Sequence, residues 1–145
     1  MNIRQAKAKD LQAAARLANA LWPEHSPKEL AGELADGILR GSVCVALAEE
    51  AGQPVGFAQC GLRHDYVEGT SGSPVGYLEG IYVSPEYRRQ GVARKLLALC
   101  EKWAREKGCS EFASDCELTN ATSLAFHLRM GFAEANRIIC FCKEL

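Results

Sequence analysis

The chain has 145 residues, of which 48% are hydrophobic and 24% are charged, and its formal net charge is -1 at pH 7. A chain of this length can bury about two-thirds of its unfolded surface, so we expect one folded domain spanning residues 1–145. The near-neutral charge disfavours a nucleic-acid partner, which requires a basic face. No apolar run approaches the length that crosses a bilayer, so we expect no membrane partner.

The cysteines and histidines indicate neither a disulfide framework nor a metal site. The 7 cysteines are an odd number without a C-x-x-C pair, and most of them lie in apolar runs, which predicts reduced, buried thiols. His25, His64 and His127 lack metal-ligand spacing, so we expect no metal. Residues 1–20 are typical of neither a secretory signal nor a transit peptide. These features together predict a cytoplasmic protein.

The first half of the chain predicts three strands and two helices. Residues 2–5 form a short strand, and apolar residues at helical spacing follow over 11–21. The residues S-P-K-E at 26–29 are a capping box with proline at the first helical position, so a second helix begins there. The β-rich runs at 42–49 and 54–63 are separated by a short turn and predict an antiparallel pair.

The middle of the chain predicts a loop, a strand and a long helix. Residues 64–74 are polar and rich in glycine, which is typical of an exposed loop. Residues 75–83 form an apolar strand, and apolar residues at helical spacing over 92–104 precede Gly108, which ends the helix.

The C-terminal part completes an α/β pattern. Residues 111–115 predict a short strand, Asn120 caps a helix that Gly131 ends, and residues 138–142 alternate as a final strand. This order of elements predicts a single α/β domain with a mixed sheet, antiparallel at first and parallel after the long helix.

A glycine turn with the sequence R-R-Q-G-V-A lies at residues 88–93, between the apolar strand and the long helix. A pyrophosphate needs several converging donors, which the unpaired N–H groups and positive dipole of a helix N-terminus supply. Arg94 and Lys95 add positive charge that opposes the helix dipole, which favours a bound anion over the alternative, a solvated basic helix start. The pattern G-x-x-x-x-G-K-[ST] of a nucleotide triphosphate loop is absent.

This turn, together with Asn120 and the run F-H-L-R-M-G-F at residues 126–132, resembles the GCN5-related N-acetyltransferase superfamily over essentially the whole chain. The resemblance implies that family's fold, a mixed central sheet with helices on both faces and a splay between strands 4 and 5. It also implies acetyl-CoA as co-substrate, with its pantetheine arm paired along strand 4. The implied cofactor-binding residues are Ile81, Tyr82, Val83, Arg88, Arg89, Gln90, Gly91, Val92, Ala93, Arg94 and Asn120.

Three further runs, L-W-P-E-H at residues 21–25, R-H-D-Y-V at 63–67 and L-E-G-I at 78–81, are similar to bacterial aminoglycoside 6'-N-acetyltransferases. The similarity implies acetylation of the 6'-amino group of these antibiotics, which confers resistance. The implied acceptor-binding residues are Trp22, His25, Tyr66, Glu79, Asp115 and Asn136. At position 136 similar enzymes can carry an acidic residue, so asparagine loses a charge that another carboxylate such as Glu134 could supply.

Acetyl transfer requires a neutral amine, so the site must accept a proton from the acceptor. We assign Asp115 as the base, directly or through water, and Glu79 as the residue that orients the amine, although the two roles could be exchanged. Many superfamily members are thought to protonate the leaving thiolate with a tyrosine, and His127 stands at that position here. Its imidazole could donate the proton or serve packing alone.

The resemblance also bears on assembly and on rival functions. Cys140 and Cys142 share one face of the predicted final strand, which members of this family can pair or exchange between subunits, so we expect a homodimer. The rival enzyme is a same-fold acetyltransferase for polyamines, other small amines or protein N-termini. The rival of another class is a noncatalytic acyl-CoA sensor, which would need neither Glu79 nor Asp115.

Overall fold

A computed structural model describes residues 1–145, and its centre is one five-stranded sheet with the strands in sequence order. The strands are β1 (Asn2–Gln5), β2 (Val43–Glu50), β3 (Gln53–Arg63), β4 (Val75–Val83) and β5 (Phe112–Ala113). The first four strands pair antiparallel with their neighbours, whereas β4 and β5 are parallel. The predicted mixed sheet is therefore confirmed.

Helices cover both faces of this sheet, as expected. They are α1 (Leu11–Ala18), α2 (Pro27–Leu39), α3 (Val92–Glu106) and α4 (Ala121–Arg129). On one face, which we call the α1/α2 side, helices α1 and α2 bury Phe57 of β3. On the other, the α3 side, helix α3 packs on Leu78 of β4, and Phe126 and Met130 extend that cluster. No helix is both long enough and apolar enough to cross a membrane.

Local sequence explains where two of these helices begin. At α2, the hydroxyl of Ser26 accepts the N–H of Glu29 at 3.1 Å, and the Glu29 carboxylate accepts the N–H of Ser26 at 3.4 Å. This is the predicted capping box. At α3, Gly91 has a φ of +77°, in the left-handed region that glycine adopts without strain, so the chain can turn sharply into the helix.

Two irregularities of β4 form the cleft of the molecule. β4 and β5 pair only at Gly76 with Phe112 and at Tyr77 with Ala113, after which the strands separate. On its other edge, β4 carries a β-bulge at Glu79, the residue between the paired Leu78 and Gly80 that has no partner on β3. A bulge redirects side chains and bends its strand. The predicted splay is confirmed, and β4, the strand on one side of it, is bent at Glu79.

Three expectations from the sequence are corrected. β5 is shorter than the predicted 111–115, so Asp115 lies two residues beyond the strand. The predicted final strand at 138–142 is absent, because the segment lies exposed with no strand beside it, and Phe141 is 91% exposed. The predicted buried state of the thiols holds for only part of them, since Cys116, Cys140 and Cys142 are exposed.

Candidate active site

The edge of β4 that faces the splay offers free backbone groups. The N–H of Ser84 donates to Val55 of β3 at 2.8 Å. Because successive residues of a strand direct their backbone groups to opposite edges, Val83 and Ile81 face away from β3, toward the edge that β5 leaves uncovered. The carbonyl of Val83 accepts the Nε–H of Arg88 at 2.7 Å. The N–H and C=O of Ile81 and the N–H of Val83 are therefore available to an extended ligand, as an added strand would use them.

The N-terminus of α3 is a second ligand-binding feature. The first helical bond runs from the N–H of Lys95 to the carbonyl of Gly91 at 3.2 Å, so the preceding N–H groups of the helix remain unpaired. The first turn contains no acidic residue, and Gly91 supplies no capping side chain. Arg89 also has a positive φ, of 61°. Successive N–H groups in such a turn form a concave anion site. The basic residues of the turn and of the first helical turn add positive charge to it; they are Arg88, Arg89, Arg94 and Lys95.

Three predicted cofactor residues also hold the local structure together. The Gln90 amide donates to the carbonyl of Glu86 at 3.0 Å, within the turn. Arg94 donates to the carbonyl of Arg129 at 3.3 Å, which ties α3 to the end of α4. Asn120 accepts the N–H of Ser123 at 3.0 Å and so caps α4. The second predicted cofactor element is therefore fixed beside the first.

A cavity of about 260 Å³ opens on the α1/α2 side of β4. Trp22 packs edge-on against Phe57, with ring centroids 6.3 Å apart. A Cβ atom at Gly80 would lie 2.6 Å from the Trp22 ring, so only glycine permits this position of the indole. The lining residues are Ala18, Trp22, His25, Leu30, Glu33, Leu34, Gln59 and Glu79. The structure thus brings together three predicted acceptor residues, Trp22, His25 and Glu79, and adds Glu33.

The bulge explains why Glu79 reaches this cavity. Leu78 and Ile81 both pack on the α3 side although they are three positions apart, a spacing that would put them on opposite faces of a regular strand. The extra residue between them is Glu79, which lines the cavity beside Trp22. Its carboxylate is therefore partly exposed in the cleft, where it needs no buried partner.

A chain of polar contacts connects the carboxylates of Glu79 and Asp115. Arg63 donates to Glu79 at 2.8 Å, and its guanidinium lies 4.0 Å from the centroid of the Tyr77 ring. The hydroxyl of Tyr77 donates to the Asp115 carboxylate. The hydrogen bond to Glu79 raises the pKa of Arg63. Burial, and then the bond to Asp115, raise the pKa of Tyr77 well above its usual range. Arg63 is thus a cation and Tyr77 a neutral donor throughout the physiological range.

His127 faces the same splay from α4. Its Nδ1 lies 2.7 Å from the carbonyl of Ser123, which can only accept, so Nδ1 carries a proton. Its Nε2 lies 2.8 Å from the hydroxyl of Ser114, which is also 3.2 Å from the carbonyl of Leu78. That hydroxyl can donate to neutral His127, or accept from the imidazolium while donating to Leu78. The arrangement accommodates both protonation states of His127.

Three predicted acceptor residues do not line the cavity, namely Asp115, which contacts the Tyr77 hydroxyl instead, Tyr66 and Asn136. Tyr66 is in the loop between β3 and β4 and is 77% exposed. Asn136 donates to Glu68 of the same loop at 2.6 Å, so it joins the C-terminal segment to that loop. Glu134, the possible substitute for a lost charge at position 136, forms an ion pair with Arg137 instead. The structure therefore does not bring Tyr66 or Asn136 to Trp22 within one chain.

Several residues of the site were missed by sequence reasoning. Tyr77 stands two positions before Glu79 on β4, which could have placed it on the same face. Arg63 lies within a run that resembles the aminoglycoside enzymes but carried no assigned role. Glu33 and Ser114 had no distinguishing pattern, because a helical glutamate and a serine after a strand are common surface residues.

Comparison with known proteins agrees with this geometry. Residues 11–132 match the acetyltransferase (GNAT) family model. An aminoglycoside N(6')-acetyltransferase type 1 from Stenotrophomonas maltophilia is 45% identical, with 96% of this chain and 90% of that protein covered. The corresponding enzyme from Serratia marcescens is 40% identical, with 94% of each covered.

Solved structures are similar over the whole chain. AAC(6')-Iy in complex with the bisubstrate analogue CoA-S-monomethyl-acetylneamine has a TM-score of 0.93 and 36% identity, with 99% of this chain and 98% of that chain covered. The apo structure of AAC(6')-Ig from Acinetobacter haemolyticus has a TM-score of 0.92 and 38% identity, with 100% and 99% covered. The chain therefore belongs to the GNAT family of acetyltransferases, within its group of aminoglycoside N(6')-acetyltransferases.

Proposed function

We propose that this enzyme transfers the acetyl group of acetyl-CoA to the 6'-amino group of aminoglycoside antibiotics, and that this reaction confers resistance on a bacterium. The observation that carries the proposal is the position of Glu79, which lies in the acidic, aromatic cavity and two residues before the free backbone edge at Ile81. An acceptor in the cavity would therefore meet a ligand along β4. The bisubstrate analogue bound by AAC(6')-Iy joins these two kinds of ligand in one molecule.

The cavity suits an aminosugar with several ammonium groups. Glu33 and Glu79 provide two carboxylates, and charge-assisted hydrogen bonds to ammonium groups are stronger than neutral ones. The indole of Trp22 offers an apolar face that attracts cations as well as sugar rings. Tyr66 belongs to the loop 64–74 and Asn136 contacts Glu68 of that loop, so both extend recognition when the loop folds over the acceptor.

The free donors of β4 and α3 fit acetyl-CoA, which supplies the activated thioester. Ile81 and Val83 pair with the amide groups of its pantetheine arm, and the turn at residues 88–94 binds the pyrophosphate through backbone N–H groups and basic side chains. Tyr82 lies between them, with the Arg88 guanidinium 5.5 Å from its ring centroid. Asn120 holds the N-terminus of α4 as the second wall. No metal takes part in this reaction.

Four side chains act on the amine and on the leaving thiolate. Asp115, on β5's side of the splay, accepts the proton of the acceptor ammonium, directly or through one water. Glu79 orients the amine from the cavity. The neutral amine nitrogen attacks the thioester carbon, and its remaining extra proton passes to solvent as the C–S bond breaks. The His127 imidazolium gives the departing thiolate its Nε2 proton, and the Ser114 hydroxyl then donates to that nitrogen. Free N–H groups on the edge of β4 stabilise the negative charge that develops on the carbonyl oxygen.

The proposal includes the assembly and location of the enzyme. One domain of residues 1–145 carries both halves of the site, and two copies form a homodimer through the C-terminal segment. That segment exposes Ile138, Ile139 and Phe141 and pairs with no strand of its own chain, so a second copy would supply the missing partner. The seven free cysteines favour the cytoplasm, where thiols stay reduced.

A panel assay tests the function. Purified enzyme with acetyl-CoA is given kanamycin, tobramycin, spermidine or a peptide with a free N-terminus, and CoA release is followed. We expect turnover with the aminoglycosides, an acetyl group on the 6'-nitrogen by two-dimensional NMR, and a higher inhibitory concentration of tobramycin for bacteria that express the enzyme. Turnover of spermidine or the peptide alone would identify another acetyltransferase, and binding of acetyl-CoA without turnover of any amine would identify a sensor.

A further inference from the structure

We infer that Tyr77 is a positioning residue for acetyl transfer, whose hydroxyl holds the Asp115 carboxylate in place across the gap between β4 and β5. The inference rests on the proposed function, because it requires Asp115 to act on the acceptor amine. It adds a residue that the cavity itself does not reveal, since Tyr77 is not among the lining side chains and is only 8% exposed.

Tyr77 lies at the end of the paired part of β4 and β5. Tyr77 pairs with Ala113 in the last rung before the strands separate. Asp115 follows two residues later, in a stretch that belongs to no strand. Backbone pairing therefore does not fix the direction of the Asp115 side chain. The hydrogen bond from the Tyr77 hydroxyl, which is anchored in the sheet, supplies that direction.

The Tyr77 hydroxyl is a neutral hydrogen-bond donor. A buried phenol beside a carboxylate resists ionisation, so its proton remains on the hydroxyl and the bond to Asp115 persists at neutral pH. A neutral donor orients a carboxylate without neutralising its charge. Asp115 also has its second oxygen free to receive a proton, because the Tyr77 hydroxyl contacts Oδ2.

The ring of Tyr77 has a separate task from its hydroxyl. Arg63 lies over the ring at 4.0 Å and pairs with Glu79 at 2.8 Å. The ring thus supports the cation that holds Glu79, whereas the hydroxyl holds Asp115. One side chain fixes the spacing of the two carboxylates between which the acceptor amine would react.

The variants Tyr77→Phe and Tyr77→Leu separate these two tasks. Tyr77→Phe keeps the ring and removes the hydroxyl, so we expect kcat to fall about tenfold, the loss typical of a hydrogen bond to a charged group. The KM values for acetyl-CoA and tobramycin should stay close to those of the natural enzyme, and the free energy of unfolding should fall by no more than the ~1–3 kcal/mol of one such bond. Tyr77→Leu should lower kcat similarly and also raise the KM for tobramycin, because Arg63 loses its support. Tyr87→Phe, on the α3 side, is the matched loss of a tyrosine hydroxyl and should change neither constant.

A double-mutant cycle with Asp115→Ala tests whether Tyr77 acts through Asp115. We expect Tyr77→Phe to have no further effect on kcat once Asp115 is absent. Full activity of Tyr77→Phe, or the same tenfold loss in both backgrounds, would overturn the inference while leaving the proposed function intact. Full activity of Asp115→Ala would instead overturn the base assignment and with it the role of Tyr77, and absence of aminoglycoside turnover by the natural enzyme would overturn the proposed function itself.

Discussion

The proposed cofactor half and the proposed acceptor half of the site are built in different ways. The cofactor half uses mainly backbone groups from one continuous part of the chain, from Ile81 through the turn at 88–94, together with Asn120 at the start of α4. The acceptor half uses side chains that come from α1, α2, β3, β4 and the segment after β5, and these meet only in the folded chain. Backbone recognition tolerates changes of side chain, whereas the acceptor half depends on each side chain and on the contacts that hold it.

The largest effect is expected from Asp115→Ala in the acceptor half. Loss of a general base typically costs about a hundredfold to a thousandfold in rate, so kcat with tobramycin should fall by that factor while the KM for acetyl-CoA stays unchanged. Steady-state CoA release measures both constants. Asp36→Ala, an exposed aspartate on α2, is the matched control and should retain full activity. A loss of less than threefold would show that Asp115 is not the base.

The next effect is expected from Gly91→Val in the cofactor half. A β-branched residue at a φ of +77° is strained, so the turn should relax and move its N–H groups away from the pyrophosphate. We expect the KM for acetyl-CoA to rise about tenfold, a loss comparable to one charge-assisted hydrogen bond, with the tobramycin KM unchanged.

Gly32→Ala is the glycine control for that variant. Gly32 lies within α2, has space for a Cβ atom and has no positive φ, so the change should stabilise the helix by up to about 1 kcal/mol without altering either KM. If Gly91→Val raised the tobramycin KM instead, the division between a backbone half and a side-chain half would fail.

A smaller effect is expected from Glu33→Gln, the cavity residue that sequence reasoning missed. Its carboxylate would attract an outlying ammonium of the acceptor, and a solvent-accessible ion pair contributes up to about 1 kcal/mol. We therefore expect the tobramycin KM to rise about threefold at low salt, and the difference to shrink as the salt concentration rises. Glu106→Gln removes an equivalent charge at the far end of α3 and should leave the KM unchanged. An equal rise in both variants would indicate only a long-range charge effect.

The smallest effect on activity is expected from Arg4→Met, outside both halves. Arg4 pairs with Asp10 at 2.7 Å and with Glu49 at 2.6 Å. Its side-chain hydrogen bond holds the pKa of Asp10 well below the usual range. Because the folded-state pKa is lowered, the stabilisation is present above the usual carboxylate pKa of about 4 and is lost as the pH falls further.

Arg4→Met should therefore lower the free energy of unfolding at pH 7 by about 1–2 kcal/mol and flatten its dependence on pH below about 4, with kcat unchanged. Urea unfolding across this pH range measures the difference. Arg40→Met, which removes an exposed ion pair with Asp36, should change stability by less than about 0.5 kcal/mol. Equal pH profiles for the natural chain and Arg4→Met would contradict this account of the N-terminal network.

The difference between local backbone features and side chains that meet only in the folded chain also explains how much could be predicted from the sequence. The turn before α3 and the capping box of α2 are local patterns in which a glycine or a proline has one main structural use. Their outcomes agree with the structure. The bulge at Glu79 and the Tyr77 contact depend on register between strands, which neighbouring residues do not encode.

The C-terminal segment shows the other limit of sequence reasoning. The alternation at 138–142 predicts a strand, but strand structure needs a partner with which to share hydrogen bonds. No strand of the same chain lies beside that segment. Its exposed apolar side chains are consistent with the proposed second subunit, whose presence size-exclusion chromatography with light scattering would test.

A crystal structure of the enzyme with CoA and tobramycin would show directly whether the two ligands meet at the splay between β4 and β5. We expect the pantetheine arm to pair with Ile81 and Val83, the pyrophosphate to lie at the N-terminus of α3, and the 6'-amino group to lie between Glu79 and Asp115. A structure in which tobramycin lies away from the Trp22 cavity, or in which its 6'-amino group contacts neither carboxylate, would contradict this expectation.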